Sequence, residues 1–349
     1  MPETGPSGAL AEGLRGPGRH PADRTLAAVG TAPHPDHRPP QTAVTRELAH
    51  RTADTDVFPT RWHRISDTRF RFTAHWPADH PFLGPVDERH QDPMIVGETL
   101  RQASMVLAHA EFGAPPDTHF VMADLAVGTD PDALLLSEAG EPVEIDVECS
   151  EVRRRGRRLA GMRTTMEFRR AGRLVARGTG STGCVSPAAY RRLRAGRLDA
   201  WDTPVPPLPG LPPGAVGRAR AADVLLALTG RPGVWRLRVD TGHPHLFPRP
   251  NDHVPGMALL EAARQAAAAA SGVRPFLPSS MSVVFARYAE LHDPCLLVTE
   301  PLVAEPLVTE PLGADPQQVT VRVTGRQGGE TVFTAVLTSA RTAPVRSVG

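Results

Sequence analysis

The sequence predicts an α+β protein made of two similar units, each with an antiparallel sheet that wraps one long apolar helix. Two observations predict this fold class: an internal duplication at constant spacing, and the same order of strands and helix in each copy. The length agrees, because 349 residues are enough for two ordinary domains and 40% hydrophobic residues are enough for two cores.

The duplication lies between residues 80–103 and residues 243–266, which match without a gap at a spacing of 163 residues. One match means little, but ten identities within 24 positions indicate that one unit was copied. The matched pairs are His80 and His243, Pro81 and Pro244, Leu83 and Leu246, Pro85 and Pro248, His90 and His253, Met94 and Met257, Glu98 and Glu261, Arg101 and Arg264, Gln102 and Gln265, and Ala103 and Ala266.

The first copy opens with residues 69–76, where apolar and polar side chains alternate as in a half-buried strand. Asp92-Pro93 predicts the helix start, because Asp caps a first turn and Pro fits inside it. The helix should end near Gly113, since Gly favours the left-handed residue after a helix. Alternating patterns predict the remaining strands at 120–127, 143–152, 162–170 and 173–185.

The second copy repeats this order, with a strand at 234–240 and a helix at 255–271. Within its later strands, Glu-Pro recurs every five residues across 299–312, and Pro removes donors from a sheet ladder. We therefore expect a loop or a sheet edge at 299–312. The later strands are predicted at 281–291, 295–303, 318–325 and 330–340.

Composition shifts set the predicted domain boundaries. Residues 1–40 contain eight Pro and six Gly without apolar periodicity, which is typical of a disordered tail, and we extend that tail to residue 58. A second Pro-rich stretch at 203–214 indicates a linker. The predicted domains are therefore a tail at 1–58, a first domain at 59–188, a linker at 189–218 and a second domain at 219–343.

Charge and residue usage exclude several functions. The formal net charge of +1 gives no electrostatic footprint for nucleic acid. All 39 basic residues are Arg, which excludes Schiff-base chemistry, a phosphate-binding P-loop lysine and a Ser-Lys dyad. Three widely spaced Cys favour a reducing cytoplasm, and no apolar run is long enough to predict a membrane span or a signal peptide.

The candidate chemistry is concentrated in the second helix, where Glu261, Arg264 and Gln265 share one side of an Ala- and Leu-rich segment. Buried charges are costly unless they are paired or used. Desolvation should raise the pKa of Glu261 into the range of a general base. Arg264 could hold Glu261 ionised or bind a phosphate or 3-oxo group. The first helix repeats the set as Glu98, Arg101 and Gln102.

Other residues near the helix start could bind substrate. The free N–H groups of Gly256 and Met257 form a candidate oxyanion site at the positive end of the helix. His253 is a candidate orienting or acid–base group, and His243 is a second candidate binding residue. The histidines lack a recognised metal-ligand spacing, so we expect neither a metal nor another cofactor.

Simpler interpretations stay open. Glu and Arg three residues apart are usually a solvated surface pair. They could also form a buried structural network where the two halves pack. The Arg-rich segments 153–158 and 191–197 could dock an acidic carrier protein, or could be an exposed charged turn and a helix after the first domain.

Two motifs carry a resemblance to a known family. HPHLFPRPNDHVPGMALLEAARQAA, which begins at His243, resembles the signature of the A-factor biosynthesis family, and HPFLGPVDERHQDPMIVGETLRQAS, from His80, resembles its N-terminal counterpart. The PGM…EAxRQ portion is also similar to 3-hydroxyacyl-carrier-protein dehydratases. The resemblance implies a double hotdog fold. One departure is Phe247-Pro248-Arg249-Pro250, where the family has Phe-Asp-His-Pro.

The resemblance also implies an activity, namely transfer of a β-ketoacyl group to the hydroxyl of dihydroxyacetone phosphate in γ-butyrolactone signal biosynthesis. The donor would be acyl carrier protein or acyl-CoA, and the helix residues Glu98, Glu261 and Arg264 would be catalytic. Arg101, Gln265, His253, Gly256, Met257 and His243 would bind substrate. Two alternatives are a hotdog dehydratase or thioesterase, and a non-catalytic ligand-binding protein. We also expect a cytoplasmic protein, and a homodimer is one expected assembly.

Overall fold

A computed structural model describes residues 40–206, 208–302 and 318–340. The ranges leave out residues 1–39, 207, 303–317 and 341–349, which include most of the repeat at 299–312. The disordered tail predicted for residues 1–39 therefore stays a prediction. No helix in the described ranges is long and apolar enough to cross a membrane.

The first half contains seven strands and the helix α1, Met94–Ala110. Met94 N–H donates to Asp92 Oδ1 at 2.9 Å, so the predicted Asp92 cap is confirmed. The helix ends three residues before the predicted Gly113. The strands are β1 (Thr42–Ala43), β2 (Pro59–Arg64), β3 (Arg69–Ala74), β4 (His119–Thr129), β5 (Val143–Arg155), β6 (Arg158–Arg170) and β7 (Arg173–Val185).

A short helix α2, Pro187–Leu193, leads out of β7, and the second half follows with the helix α3, Gly256–Ser271. Gly272 closes α3 in the left-handed conformation, with φ of 70°. The strands are β8 (Leu226–Leu228), β9 (Val234–Leu237), β10 (Pro278–Phe285), β11 (Cys295–Leu302), β12 (Gln318–Gln327) and β13 (Glu330–Ala340).

All these strands form one antiparallel sheet in the order β1-β2-β3-β5-β6-β7-β4-β10-β13-β12-β11-β9-β8. The halves join where β4 pairs with β10, from Gly128 opposite Ser280 to Asp124 opposite Val284. The sheet of each half packs on its own long helix, and 14 of the 17 residues of α1 and 11 of the 16 residues of α3 are buried. The predicted α+β architecture, with one buried helix in each half, is confirmed.

The structure corrects two predicted boundaries. Residues 40–58, assigned to the tail, include β1 and place Asp56 and Phe58 in the core. The predicted linker at 189–218 includes most of α2 and the buried side chains of Tyr190 and Arg194. The composition is Pro- and Arg-rich in these stretches, but single side chains anchor them to the two halves.

The start of the Glu-Pro repeat lies in β11, between β12 and β9, at a point where the ladder to β9 has already ended. Residues 299–302 belong to β11, and Pro301 lies opposite Val321 of β12. On the other side of β11, β9 pairs only with Leu296–Val298, so among the described residues Pro301 has a partner strand on one side alone. Because Pro cannot donate to a ladder, it fits where only one partner strand is present.

Candidate active site

Glu98 on α1 is the centre of a polar network in the first half. Arg101 Nε donates to Glu98 Oε2 at 3.0 Å, and Arg51 Nε donates to Oε1 at 3.1 Å. Gln102 Nε2 donates to the same Oε1 at 2.6 Å. Arg51 precedes the predicted first domain, so the network joins the corrected N-terminal segment to the helix.

Glu261 on α3 is the centre of the equivalent network in the second half. Arg218 Nε and Arg264 Nη2 each donate to Glu261 Oε1 at 2.8 Å, and Gln265 Nε2 donates at 2.7 Å. Arg264 Nε donates to Oε2 at 2.8 Å. Arg218 lies 167 residues after Arg51, so the duplication continues upstream with a four-residue shift from the spacing of the helices.

Each half also contains a buried His–Asp pair that fixes a loop. His80 Nε2 lies 3.0 Å from Asp56 Oδ1, and His243 Nε2 lies 3.0 Å from Asp223 Oδ1. In both residues Nδ1 accepts backbone N–H groups of the next turn, which places the ring proton on Nε2. His243 is 3% exposed and lies away from the large cavity, so its geometry is that of a loop anchor.

The two helix networks differ in access. Asp92, from the loop before α1, crosses to the second half and lies 3.1 Å from Arg218 Nη1, which closes that network. Glu261 and Arg264 are both 0% exposed. The network of the first half has no equivalent of Asp92, because Pro255 occupies the matching position before α3. The side chain of Arg101 keeps 17% of its surface exposed.

Arg101 opens into a cavity of about 1390 Å³ that both halves line. A much smaller cavity, of about 30 Å³, lies beside Glu98. Apolar side chains cover part of the wall, and Leu193 and Leu198 are 60% and 38% exposed there. The polar wall includes His50, Arg51, Arg101, His119, Tyr190, Arg194, Arg249, Asp252 and His253.

A His–Asp dyad lies in this cavity wall. His253 Nδ1 is 2.7 Å from Asp252 Oδ1, and Tyr190 Oη donates to the same oxygen at 2.6 Å. Arg194 Nε donates to Asp252 Oδ2 at 2.8 Å, and its other nitrogens bind Glu290 at 2.7 and 2.8 Å. Burial tends to raise the pKa of Asp252, but hydrogen bonds from His253, Arg194 and Tyr190 outweigh it and keep the pKa well below its usual range.

The ionised Asp252 determines what His253 can do. A carboxylate accepts but does not donate, so the neutral form of His253 carries its proton on Nδ1 and has its lone pair on Nε2. The side chain of His253 is 20% exposed. The dyad therefore offers a basic nitrogen with a fixed ring orientation in the cavity wall.

The N-terminus of α3 adjoins the dyad. Ala258 and Leu259 N–H both donate to Pro255 O, whereas the amides of Gly256 and Met257 have no partner in the described part of the chain. A Cβ on Gly256 would lie 3.1 Å from the Phe285 ring, so Gly permits this close packing. Two free amides at the positive end of a helix can stabilise a developing oxyanion.

A further polar chain leads from Arg249 into the first half. Arg249 Nη2 donates to His50 Nδ1 at 2.8 Å, and His50 Nε2 lies 2.8 Å from His109 Nε2. His109 Nδ1 lies 2.8 Å from Ala114 O. A carbonyl oxygen only accepts, so His109 carries its proton on Nδ1, and His50 donates from Nε2 and accepts from Arg249. Both rings are therefore neutral.

Asp56, His80 and His245 place ligand atoms within 4.8 Å of one another, which makes them the candidate metal group in the described ranges. His80 Nε2 carries a proton, because its Nδ1 accepts two backbone N–H groups, so that nitrogen has no lone pair for a metal. His245 Nδ1 also contacts Asp56, at 3.1 Å. The donor set fits a hydrogen-bonded cluster that ties the loops together.

The expectation that burial raises the pKa of Glu261 is wrong, and the equivalent Glu98 behaves in the same way. Burial alone would raise the pKa of Glu98, but Arg101 and Arg51 outweigh it and lower the pKa to about 2. Glu261 also has a lowered pKa, since Arg218 and Arg264 overcome its burial. Carboxylates this strongly paired are poor proton acceptors at neutral pH.

The structure brings four of the predicted site residues together around the large cavity, namely Arg101, His253, Gly256 and Met257. Glu98 lies behind Arg101, beside the small cavity. The other candidates are buried away from both cavities, namely Glu261, Arg264, Gln265 and His243. The geometry of the last group is that of the buried structural network kept open above.

Sequence reasoning missed several residues of the cavity wall. Arg51 and Tyr190 fell in predicted tail and linker regions, and Asp252 stood beside the selected His253 without being considered. The spacing of 167 residues that relates Arg51 to Arg218 also relates Asp56 to Asp223, and could have identified this segment. No comparable signal exists for Tyr190 and Arg194, which have no counterpart in the other copy.

Two buried helices under one continuous sheet, with a cavity between the halves, define a double hotdog protein. The sequence profile described as the A-factor biosynthesis hotdog domain matches residues 33–186 and 202–343. The chain therefore belongs to the A-factor biosynthesis family.

Three relatives share most of their length with this chain, and each is named a 2-oxo-3-(phosphooxy)propyl 3-oxoalkanoate synthase. The Streptomyces virginiae protein is 46% identical over 84% of this chain and 96% of its own length. The Streptomyces griseus protein is 44% identical over 84% and 95%. The Streptomyces coelicolor protein is 43% identical over 83% and 89%.

We call the network of Glu261, Arg218, Arg264 and Asp92 the sealed network, and the network of Glu98, Arg51 and Arg101 the open network. The two networks predict different losses of stability when the glutamate is replaced. Glu261→Gln leaves two buried guanidinium groups with Asp92 alone, and we expect it to lower the free energy of unfolding by about 3–5 kcal/mol. Glu98→Gln, whose partner Arg101 reaches the cavity, should lower it less. Urea unfolding at pH 7 measures both, and equal losses would contradict the distinction between sealed and open networks.

The lowered pKa of His50 predicts that the stability of the protein depends on pH. Burial, and then the charges of Arg249 and Arg101, lower the pKa of His50 from 6.5 to about 3. The unfolded chain binds this proton more readily, so the contribution is complete above pH 6.5 and is lost as pH falls towards 3, by up to about 1.4 kcal/mol per pH unit. Between pH 7 and 5, wild type should lose more stability than His50→Gly. The exposed control His75→Ala should follow wild type, and identical wild-type and His50→Gly profiles would refute the assignment.

Proposed function

We propose that the protein is an acyltransferase that moves a β-ketoacyl group from acyl carrier protein, or from CoA, to the hydroxyl of dihydroxyacetone phosphate. The name of the relatives describes the ester of these two substrates. The observation that carries the proposal is the large cavity between the halves, because a basic dyad, free helix amides, guanidinium groups and apolar surface lie together in its wall. Acyl transfer to a phosphorylated alcohol uses all four.

The proposed base is His253. Its Nε2 accepts the proton of the acceptor hydroxyl as that oxygen attacks the thioester carbon, and Asp252 stabilises the imidazolium that forms. When the tetrahedral intermediate collapses, the C–S bond breaks and His253 returns the proton to the leaving thiolate. The products are the ester and a free thiol, so the transfer needs no acyl-enzyme and no further reactant.

The proposed oxyanion site is formed by the amides of Gly256 and Met257. They belong to the first turn of α3, whose N–H groups have no partner within the helix. These N–H groups can therefore donate to the carbonyl oxygen as it gains charge. His253 lies three residues before Gly256, and this spacing supports a common reacting centre for base and oxyanion donors. The apolar wall, which includes Leu193 and Leu198, would receive the acyl chain.

The helix residues receive different proposed roles. Arg101 would contact substrate directly from the cavity wall, and Glu98 would position Arg101 and Arg51. Glu261, Arg264 and Gln265 would act only through the packing of the halves, because none of them reaches either cavity. Chemistry would then occur in one cavity, between the open face of α1 and the start of α3.

Several expectations about partners stay predictions. The segment 153–158 forms the exposed Arg-rich turn between β5 and β6, which is compatible with docking of an acidic carrier protein but is also an ordinary charged hairpin. Arg194, within the other Arg-rich segment, is instead buried against Asp252 and Glu290. Homodimerisation and a cytoplasmic location also stay predictions.

The product of the reaction tests the proposed function. Purified protein incubated with a β-ketoacyl carrier protein and dihydroxyacetone phosphate should give the phosphorylated ester, detected by its mass. Water can also accept an acyl group with help from such a dyad, so free acid as the sole product would indicate a thioesterase. An enoyl product would indicate a dehydratase, and no turnover across several chain lengths would favour a non-catalytic binding protein.

The dyad gives a sharper prediction. His253→Gln removes the basic nitrogen while keeping a donor for Asp252, and we expect kcat to fall by about 10²–10⁴-fold with little change in KM. The matched control is His90→Gln, because His90 is the duplicated counterpart of His253 and pairs with Asp87 at 2.9 Å outside the large cavity. Wild-type kcat in a folded His253→Gln variant would refute the assignment of the base.

A further inference from the structure

The sealed network contains an internal anion that the open network lacks. Arg218 and Arg264 face two carboxylates there, Glu261 from their own half and Asp92 from the other half. Asp92 is 1% exposed and lies where α1 begins. The position equivalent to Asp92 at the start of α3 is Pro255, which has no charge and lines the large cavity.

The open network instead contains an additional cation. Arg51 and Arg101 share the single carboxylate of Glu98, and Arg249 reaches the same cavity wall. The duplicated counterpart of Arg249 is Val86, so the sealed half has no third guanidinium group. Arg249 comes from the Pro-Arg-Pro stretch that departs from the family pattern.

The other carboxylates near this cluster are already paired. Asp56 lies against His80 and His245, and its charge also acts on Arg51. Asp252 is bound by Arg194, Tyr190 and His253. Arg51, Arg101 and Arg249 therefore line the large cavity together, and the carboxylate of Glu98 is hydrogen-bonded to Arg51 and Arg101 but not to Arg249, so positive charge is left over.

His50 orients Arg249 without neutralising it. The His50 ring is an uncharged acceptor, because its Nε2 proton is directed to His109, so Arg249 keeps its full charge while one nitrogen is held at 2.8 Å. The backbone of His50 is in the left-handed region, with φ of 54°, and the residue 167 positions later is Gly217, with φ of 70°. A histidine retained where the other copy uses glycine points to a role for its side chain.

We propose that Arg51, Arg101 and Arg249 bind the phosphate group of the acceptor substrate, in the position that the Asp92 carboxylate occupies in the sealed copy. Guanidinium groups bind phosphate oxygens in a fixed, two-pronged geometry, and a dianion would balance the charge left by Glu98. This inference rests on the proposed transfer to a phosphorylated alcohol. In this proposal Arg249 is a third guanidinium group beside Arg51 and Arg101, and His50 holds it in position.

Binding calorimetry tests the site without turnover. The wild-type protein should bind inorganic phosphate and dihydroxyacetone phosphate, and Arg249→Ala should weaken both by about 10–100-fold, because a charge-assisted contact is lost. The control Arg71→Ala removes an exposed arginine paired with Asp146, far from the cavity wall, and should bind as wild type does. No phosphate binding by wild type, or unchanged binding by Arg249→Ala, would overturn the proposal.

Two further variants separate recognition from folding. His50→Gly should give a Tm at pH 7 no lower than that of wild type and should weaken phosphate binding, since glycine suits the left-handed backbone but cannot hold Arg249. Pro255→Asp should place a carboxylate opposite Arg51, as Asp92 lies opposite Arg218, and should abolish phosphate binding in a folded protein. A lower Tm with unchanged affinity in His50→Gly, or unchanged affinity in Pro255→Asp, would contradict the site.

Donors with and without a phosphate identify which substrate is bound. Steady-state assays should use β-ketoacyl thioesters of pantetheine and of 4′-phosphopantetheine. Arg249→Ala should raise KM for dihydroxyacetone phosphate equally with both donors. A KM increase confined to the phosphorylated donor would overturn the assignment to the acceptor. If calorimetry shows the expected loss while wild type forms no ester, the phosphate site stands and the proposed reaction fails.

Discussion

The architecture depends on one interaction made twice, a guanidinium group that binds the helix glutamate of its own half and a backbone carbonyl of the other half. Arg218 binds Glu261 and donates to Phe82 O at 2.7 Å, and Arg51 binds Glu98 and donates to His245 O at 3.2 Å. These arginines supply the charges that make buried carboxylates tolerable in apolar helices. They also fix the loops between which the large cavity opens.

Duplication allowed these two interactions to diverge. With Asp92 added, one copy is a closed ion network that has no access to solvent or ligand, and its role is to hold the halves together. With Pro255 in the equivalent place, the other copy leaves Arg51 and Arg101 facing open space. One exchanged side chain in a cross-half contact thus explains why two nearly identical helix motifs have unequal surroundings.

The sequence predicted the features that depend on local patterns and on the gapless repeat. The helices, the Asp92 cap and the polar residues at 98 and 261 all follow from spacing along the chain. It could not predict which copy is open, because Arg218 and Asp92 meet only after the halves fold together. It also predicted the wrong direction for the pKa of Glu261, since Arg218 lies outside the repeated segment.

The two networks differ in charge balance, and this difference affects stability. Clustered like charges destabilise a fold, and the raised positive potential around Arg249 is visible in its own pKa, which burial and then Arg101 and Arg51 lower. His50 adds backbone strain of roughly 1–3 kcal/mol in the same cluster. A protein can retain such a site when its other buried charges are balanced, and the network around Glu261 pairs two guanidinium groups with two carboxylates in the other copy. A single hotdog domain would have to meet both demands with one helix, whereas two fused copies separate them.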